Sequence, residues 1–316
     1  MLSWGIIGYG RIAKRFAKSL SYSDEGRLCA VASKTAYQKG SIEDYPNVKI
    51  YGSYDEIIDD EDIDAVYIAL RHADHFEWAK KALLCNKVVL CEKPATLTYA
   101  QTKELCDLSR ENHAFFMEAM KSRFVPMSQE IKSVCERGTI GEIQRIETSF
   151  CYDIDYDSES YLFDPIQGGA LYDVGIYNIS WVLDLIHSPI VDVQVHCERK
   201  YGVDVYDSVE LTFESGQTAL LEMGIDREKE KTMVIYGNLG EVHTTPFYRP
   251  VEATVKFDEE ESFSASIPYE YDDFYGEIKE VHHCVGYIRY ESERMSHQDS
   301  LDCIALIERI KELSHD

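Results

Sequence analysis

The chain has 316 residues, enough for two domains of ordinary size, and 45% of it is hydrophobic, as in globular proteins. Its 57 acidic residues against 32 basic ones leave a net charge of −25, a surface that repels phosphate backbones and anionic lipid and argues against nucleic acid or a membrane as partner. No apolar run approaches the ~18 residues of a bilayer span, and the opening Met1-Leu2-Ser3-Trp4 lacks the basic stretch and cleavage site of a secretion signal.

The first third alternates short apolar runs with amphipathic segments. Strands are predicted over Leu2–Gly8, Leu28–Ser33, Val48–Tyr51, Asp64–Leu70, Lys87–Cys91 and Ala114–Ala119. Helices are predicted over Gly10–Leu20, His75–Leu84 and Thr98–Asn112, with Thr98 as a cap. Continuous apolar strands between helices imply a parallel sheet covered on both faces. After a helix near Val125–Arg137 the pattern changes to period 2. Ile146, Thr148, Phe150 and Tyr152 alternate with Glu147, Ser149 and Cys151, and Val209, Leu211 and Phe213 alternate with Glu210, Thr212 and Glu214. The Ser215-Gly216 turn leads into a strand over Ala219–Met223. Further strands are predicted over Thr232–Tyr236, Glu241–Thr245 and Ala253–Phe257, and helices over Ala170–His187, Asp272–Tyr290 and Gln298–Leu313. The expectation is an α/β Rossmann domain, doubly wound on a parallel sheet, over residues 1–121. A mainly antiparallel, open-sheet α+β domain over residues 122–316 would hold substrate and dimerise. The second sheet carries apolar residues on both faces, such as Leu220 and Leu221, which a monomer would expose.

The nine cysteines are scattered and never spaced Cys-x-x-Cys, so reduced thiols of a cytoplasmic protein are expected, without a metal site or disulfide framework. The adjacent pair His282-His283 is read as structural because its rings diverge on a helix.

Three motifs carry chemistry. Gly8-Tyr9-Gly10-Arg11-Ile12-Ala13 joins the first strand to the first helix as Gly-x-Gly-x-x-Ala, a dinucleotide fingerprint. Gly8 allows the tight turn, Gly10 lets backbone approach a pyrophosphate, and Ala13 lets helix and strand pack closely. About 20 residues on, where an NAD site usually carries a carboxylate for the ribose hydroxyl, stand Ser33 and Lys34. A hydroxyl and a cation suit a 2′-phosphate, so NADP is favoured over NAD; the competing reading makes Lys34 a solvated loop lysine. Second, Glu92-Lys93-Pro94 ends the fifth strand, where open parallel sheets place ligands. A lysine held there by stiff backbone can hydrogen-bond a reacting oxygen or favour the ionised form of a partner acid. Third, Gly168-Gly169 precedes a helix on which Asp173 and Tyr177, four apart, share a face that continues through Ser180, Asp184 and His187. Asp184 and His187 are read as meeting water. The glycines would let another surface approach the helix start.

In this order and spacing, the three motifs resemble the glucose–fructose oxidoreductase / inositol dehydrogenase (Gfo/Idh/MocA) family over nearly the whole chain. Tyr177 stands where most members carry His. With Glu118-Ala119-Met120 and Arg123-Phe124-x-Pro126, it is similar to the branch of dimeric dihydrodiol dehydrogenases. The resemblance implies hydride transfer between NADP (or NAD) and a CH–OH or C=O group of a sugar, polyol or cyclic diol. Lys93 and Tyr177 would do the acid–base work, Asp173 and Arg123 would contact substrate, and the second-domain sheet would form a homodimer interface. Cofactor contacts are expected from Gly8, Tyr9, Gly10, Arg11, Ile12, Ser33, Lys34, Leu70, His75, Glu92 and Lys93. The chain departs from the family pattern at Leu70-Arg71, Lys121 and Tyr161. Two rival classes stand beside this reading. A non-catalytic dinucleotide sensor or scaffold would not need Lys93 and Tyr177, and a methyltransferase would carry an acid at the end of the second strand and no antiparallel domain.

Overall fold

In the computed structural model, which describes residues 1–257 and 262–314, the alternating first third forms a six-stranded sheet. Its elements are β1 (Leu2–Ile7), α1 (Arg11–Leu20), β2 (Gly26–Ala32), α2 (Lys34–Lys39), β3 (Lys49–Tyr51), α3 (Tyr54–Asp59), β4 (Ala65–Ile68), α4 (His72–Leu84), β5 (Val88–Glu92), α5 (Tyr99–Glu111) and β6 (Phe116–Ala119). The strand order is β3-β2-β1-β4-β5-β6, every pair parallel, with the order reversing between β1 and β4. Ligands of such sheets bind outside the strand ends at that reversal. Beneath it, Ile7, Ile57, Val66, Ile68, Leu83 and Val89 form a buried core on one face. On the other, Phe16 stacks on Tyr67 at 3.7 Å and meets Trp4 edge-on at 5.4 Å.

Two short helices were not predicted. Ser33 caps α2, accepting from Ala36 N–H, and Gly40 ends it at φ +68. Ser53 and Glu56 form a reciprocal capping box at the start of α3, a pattern visible in the sequence as Ser-x-x-Glu.

The second sheet has eight strands. After α6 (Pro126–Glu136) come β7 (Ile143–Cys151), a π-helical turn over Leu171–Gly175 running into α7 (Ile176–Leu185), β8 (Ile190–Lys200), β9 (Val203–Phe213), β10 (Thr218–Gly224), β11 (Met233–Gly237), β12 (Glu241–Thr244), β13 (Glu252–Lys256) and β14 (Ser262–Ser266). The order is β14-β13-β12-β11-β7-β10-β9-β8; β7 and β10 run parallel and all other neighbours antiparallel. Strand β8 escaped prediction although Val191, Val193, Val195 and Cys197 alternate there with Asp192, Gln194, His196 and Glu198. Helix α7 lies on the face carrying Thr148 and Leu221: Asn178 Nδ2 donates to Thr148 Oγ1 at 3.0 Å and to Glu222 O at 2.9 Å.

The registers correct the expectation for Leu220 and Leu221. Leu221 pairs with Thr148, on the α7 face, and is wholly buried. Leu220 pairs with Glu147 and Glu210 on the outer face. That face is largely ionic. Arg145 binds Glu147, Glu210 and Thr218, and Lys229 and Tyr206 both donate to Glu222.

The chain divides into two compact units, residues 1–121 with 270–301 and residues 122–269 with 302–316. Residues 270–301 were expected in the second domain. They join the first because its core supplies their partners. Trp4 Nε1 donates to His282 Nε2 at 3.0 Å, Arg15 pairs with Asp273, and Ser19 donates to Asp272. Phe116 N–H donates to Tyr290 O at 3.0 Å, continuing the edge at β6. This segment contains α8 (Tyr275–Gly286), and α9 (His297–Leu313) closes the chain.

The two faces of β10 give a direct test. Leu221→Ala should destabilise by about 2–5 kcal/mol, the range for a fully buried leucine, and Leu220→Ala by about 1 kcal/mol. Urea unfolding measures both; equal losses would contradict the assignment of faces.

Candidate active site

In the first unit, the fingerprint turn is built by close packing. Gly8 has φ +85, and a Cβ there would lie 2.5 Å from Ala69 O, so only glycine fits. Gly10 is the N-cap of α1, with no side-chain cap and no acidic residue in the first turn. A Cβ on Gly10 would meet nothing within 4 Å, so the helix start opens onto free space. Ala13 is fully buried at the helix–sheet contact. An uncapped helix N-terminus without carboxylates, reached over a bare glycine, fits a pyrophosphate. Around it Tyr9 and Ile12 are half-buried and Arg11 is exposed. Burial, followed by the neighbouring Tyr45 and Asp44, pushes the Tyr9 hydroxyl up to about 12. It is therefore a neutral hydrogen-bonding group.

Ser33 closes β2 with its oxygen 3.4 Å from Ala36 N, which leaves the hydroxyl hydrogen to donate elsewhere. Lys34 is exposed beside it, and the first turn of α2 holds no acid. Among the described residues, no group of three or more His, Cys, Asp or Glu side chains is arranged to hold a metal ion.

At the next strand ends, Leu70, His75 and Glu92 also hold the protein together. Leu70 is half-buried, and its Cδ2 would lie 2.6 Å from a Cβ on Gly8, so it shapes the glycine turn. His75 is fully buried, with Nδ1 2.9 Å from Pro94 O and Nε2 3.2 Å from Leu70 O. Burial depresses its pKa, so the ring is neutral and joins the turn after β4 to the turn after β5. It braces the site from behind. Glu92 accepts from the Tyr67 hydroxyl, and its other oxygen accepts from Lys93 N–H at 3.3 Å. Glu92 thus anchors the end of β5, and Lys93 follows half-buried before a cis Lys93–Pro94 bond. A residue missed from sequence stands nearby. Glu277 on α8 is wholly buried, and burial and then Glu92 drive its carboxyl well above the usual range, so it is protonated. Its acidic character, within the helix predicted over Asp272–Tyr290, was the one available signal.

In the second unit, Gly168 N–H donates to Asp164 O and Gly169 N–H to Leu162 O. A Cβ on Gly168 would sit 2.3 Å from Leu162 O, so the aromatic loop before the helix packs directly on this glycine. The π-helical turn then presents Asp173, half-buried, whose Oδ2 accepts from the Tyr152 hydroxyl at 2.7 Å. One turn on, Tyr177 is 7% exposed among aromatic rings. Phe150 lies 5.7 Å and Tyr248 5.8 Å from its ring, and those two stack on each other at 4.4 Å. Tyr152, predicted as the last residue of the strand alternation, stands just past the end of β7 and was not legible as the partner of Asp173, and Tyr248 lies in a segment with no periodicity to mark it.

Of the rest of the polar stripe, Ser180 and Asp184 are taken up by partners within the protein. Arg123, expected at the substrate, is 5% exposed. Its Nε donates to Ser180 Oγ at 2.9 Å, its Nη2 to Ser180 O at 3.1 Å, and its Nη1 lies 3.7 Å from Asp184. Lys132 also pairs with Asp184, at 2.5 Å. Buried charges need partners, and Arg123 meets that need by bracing α7. His187 is exposed, as expected.

Comparison with known proteins agrees with this arrangement. A model of the NAD-binding Rossmann fold of the oxidoreductase family GFO_IDH_MocA matches residues 2–120, and that of the family's C-terminal domain matches residues 128–243. D-xylose 1-dehydrogenase (NADP(+)) of Hypocrea jecorina is 30% identical over 292 residues, covering 80% of this chain and 75% of that protein. Trans-1,2-dihydrobenzene-1,2-diol dehydrogenase of Mus musculus is 29% identical over 265 residues, covering 82% of this chain and 79% of that protein. A 3-ketoreductase from Actinomadura kijaniata, solved in an open conformation with TDP-benzene and NADP, superposes with a TM-score of 0.84 at 25% identity, covering 98% of this chain and 96% of that one. An aldose-aldose oxidoreductase from Caulobacter crescentus shares the fold, with a TM-score of 0.86 at 21% identity, covering 99% of this chain and 97% of that one. The fingerprint turn, the Glu92-Lys93-Pro94 strand end and the glycine-led helix thus have one common explanation: this chain belongs to the Gfo/Idh/MocA family of oxidoreductases.

Proposed function

We propose that the protein is a cytoplasmic, homodimeric, NADP-preferring dehydrogenase or reductase of a CH–OH or C=O group on a sugar, polyol or cyclic diol. The observation that carries the reading is the mostly buried Tyr177 hydroxyl-bearing ring one helical turn from Asp173, itself fixed by Tyr152. Sugar and diol names among the relatives support the substrate class, and nine scattered cysteines, none spaced Cys-x-x-Cys, support a reducing compartment.

Gly8, Gly10 and the start of α1 would hold the dinucleotide pyrophosphate, with Ser33 and Lys34 at the adenosine ribose. When bound, the nicotinamide accepts or donates the hydride. In the oxidation direction the substrate hydroxyl loses its proton as its carbon loses hydride, leaving a carbonyl. Asp173 accepts a substrate hydroxyl and sets its orientation, and Tyr177 takes the departing proton or returns it in reduction. A tyrosine ionises near pH 10 in water, and an ammonium favours its phenolate, which is the part given to Lys93. Positioned acid–base groups of this kind contribute about 10²–10⁴-fold.

Three outcomes are expected. NADPH should bind more tightly than NADH, and Lys34→Ala should weaken NADPH while leaving NADH nearly unchanged, in fluorescence titrations; equal or tighter NADH binding refutes the preference. On a substrate found by screening sugars, inositols and cyclic diols, Lys93→Met and Tyr177→Phe should each lower turnover by about 10²-fold or more, and the double variant should be little worse than either. Near-parental turnover in Tyr177→Phe would remove the tyrosine from the mechanism. Light scattering at micromolar concentration should report a dimer associated through the outer face of the eight-stranded sheet; a monomer rejects it.

A further inference from the structure

The turn that carries Asp173 has no cap of its own. Ala170, at its start, offers no side-chain acceptor, and the first free N–H, that of Leu171, donates instead to Asp204 Oδ2 at 2.8 Å. Asp204 stands on β9, 8% exposed. Gly169, at φ +101, sits against the same carboxylate, and a Cβ there would lie 2.1 Å from Asp204 Oδ1. Glycine and aspartate are therefore fitted to each other. The second glycine of the motif makes room for a cap supplied from a neighbouring strand.

Asp207, three residues along β9, is buried beside Asp204 at 1% exposure. The groups facing this pair are Cys197 and Arg199 of β8, Tyr172 of the π-helical turn, and Lys311 with Glu308 of α9. The Lys311 ammonium lies 4.1 Å over the Tyr172 ring, and burial lowers its pKa against the pull of Asp204. Two buried carboxyls with one partly desolvated lysine cannot both ionise at neutral pH without strong repulsion. Burial, and then the charge of Asp204, push Asp207 up to about 8. Burial raises Asp204 as well, but the Leu171 N–H and a hydrogen bond from Asp207 favour its ionised form, so the pair's proton sits on Asp207 and Asp204 carries the charge that caps the helix.

We propose that Asp204 is a positioning residue that fixes the turn Leu171–Gly175, and through it Asp173 and Tyr177, with Asp207 as its neutral partner. The link to catalysis rests on the roles given above to Asp173 and Tyr177; the link to the turn does not. Above about pH 8 Asp207 ionises, a second negative charge enters the pocket, and the turn loosens.

The sign of the stability effect follows from the raised value. An aspartate ionises near pH 4 in the unfolded chain. The contribution of Asp207 is therefore greatest below about pH 4, falls as pH rises towards about 8, and is constant above. Asp207→Asn removes this loss, so its gain in Tm over the parent should grow from pH 5 to pH 8.

Hydrogen exchange with mass spectrometry on the full-length protein tests the positioning directly. Asp204→Ala should speed exchange of the Leu171–Gly175 amides about tenfold or more, and Asp204→Asn, which keeps an acceptor oxygen, should restore most of the protection. On the substrate from the screen, Asp204→Ala should lower kcat at least tenfold with dinucleotide affinity within twofold of the parent, and Asp207→Asn should abolish an alkaline fall in kcat near pH 8. Faster exchange with unchanged kcat would uphold the positioning and overturn the roles of Asp173 and Tyr177. Unchanged exchange in Asp204→Ala would overturn the positioning itself. If the alanine variant does not fold, exchange in Asp204→Asn at pH 7 and pH 9 decides: parental protection at pH 7 with loss at pH 9 only in the aspartate parent supports the proposal, and identical profiles reject it.

Discussion

Both units depend on one constraint: a helix begins where backbone must pass within contact distance of something else, and only glycine leaves the space. At Gly8 the obstacle is the Ala69 carbonyl, at Gly168 the Leu162 carbonyl, and at Gly169 the Asp204 carboxylate. Each approach leaves a helix start without a side chain of its own to satisfy its N–H groups. The two starts meet that need differently. α1 stays open, its dipole and N–H groups available to an anion. The π-helical turn receives a carboxylate from its own sheet, and Asp173 within it is bonded to Tyr152.

The polar interior follows from the same economy. Arg123, His75 and Glu92 all looked like ligand contacts because charged or titratable residues near a strand end or a motif often are. Each is bonded to protein as well: Arg123 to Ser180 and Asp184, His75 to two carbonyls, Glu92 to Tyr67. Breaking one partner of such a group leaves an uncompensated buried charge or donor. Substitutions there would therefore lower activity through the backbone they hold, and would mimic the loss of a catalytic group.

How much of this was legible depends on range. Apolar runs and period-2 alternation placed the strands of the first sheet and all of the second but β8 and β14, because burial of one or two faces acts residue by residue. The fingerprint and the double glycine were legible because each demands a residue type at a fixed offset. Strand β8 carried a clear alternation and was overlooked. What could not be read were pairings between distant segments: Leu221 facing α7 while Leu220 faces out, Asp204 reaching Leu171 across 33 residues, and Arg123 reaching Ser180 across 57. Nothing local distinguishes a carboxylate that caps a remote helix from one that meets solvent.

The return of residues 270–301 to the first unit bears on the order in which the protein can be made. Trp4 and Arg15 are made 278 and 258 residues before their partners His282 and Asp273. During synthesis the parallel sheet can form early, but one side of α1 and the edge beyond β6 stay bare until residues 270–301 have followed. Residues 1–121 by themselves are therefore an incomplete unit, dependent on a distant segment of the chain for closure. Genetic fusions or truncations placed after residue 121 would make that exposure permanent.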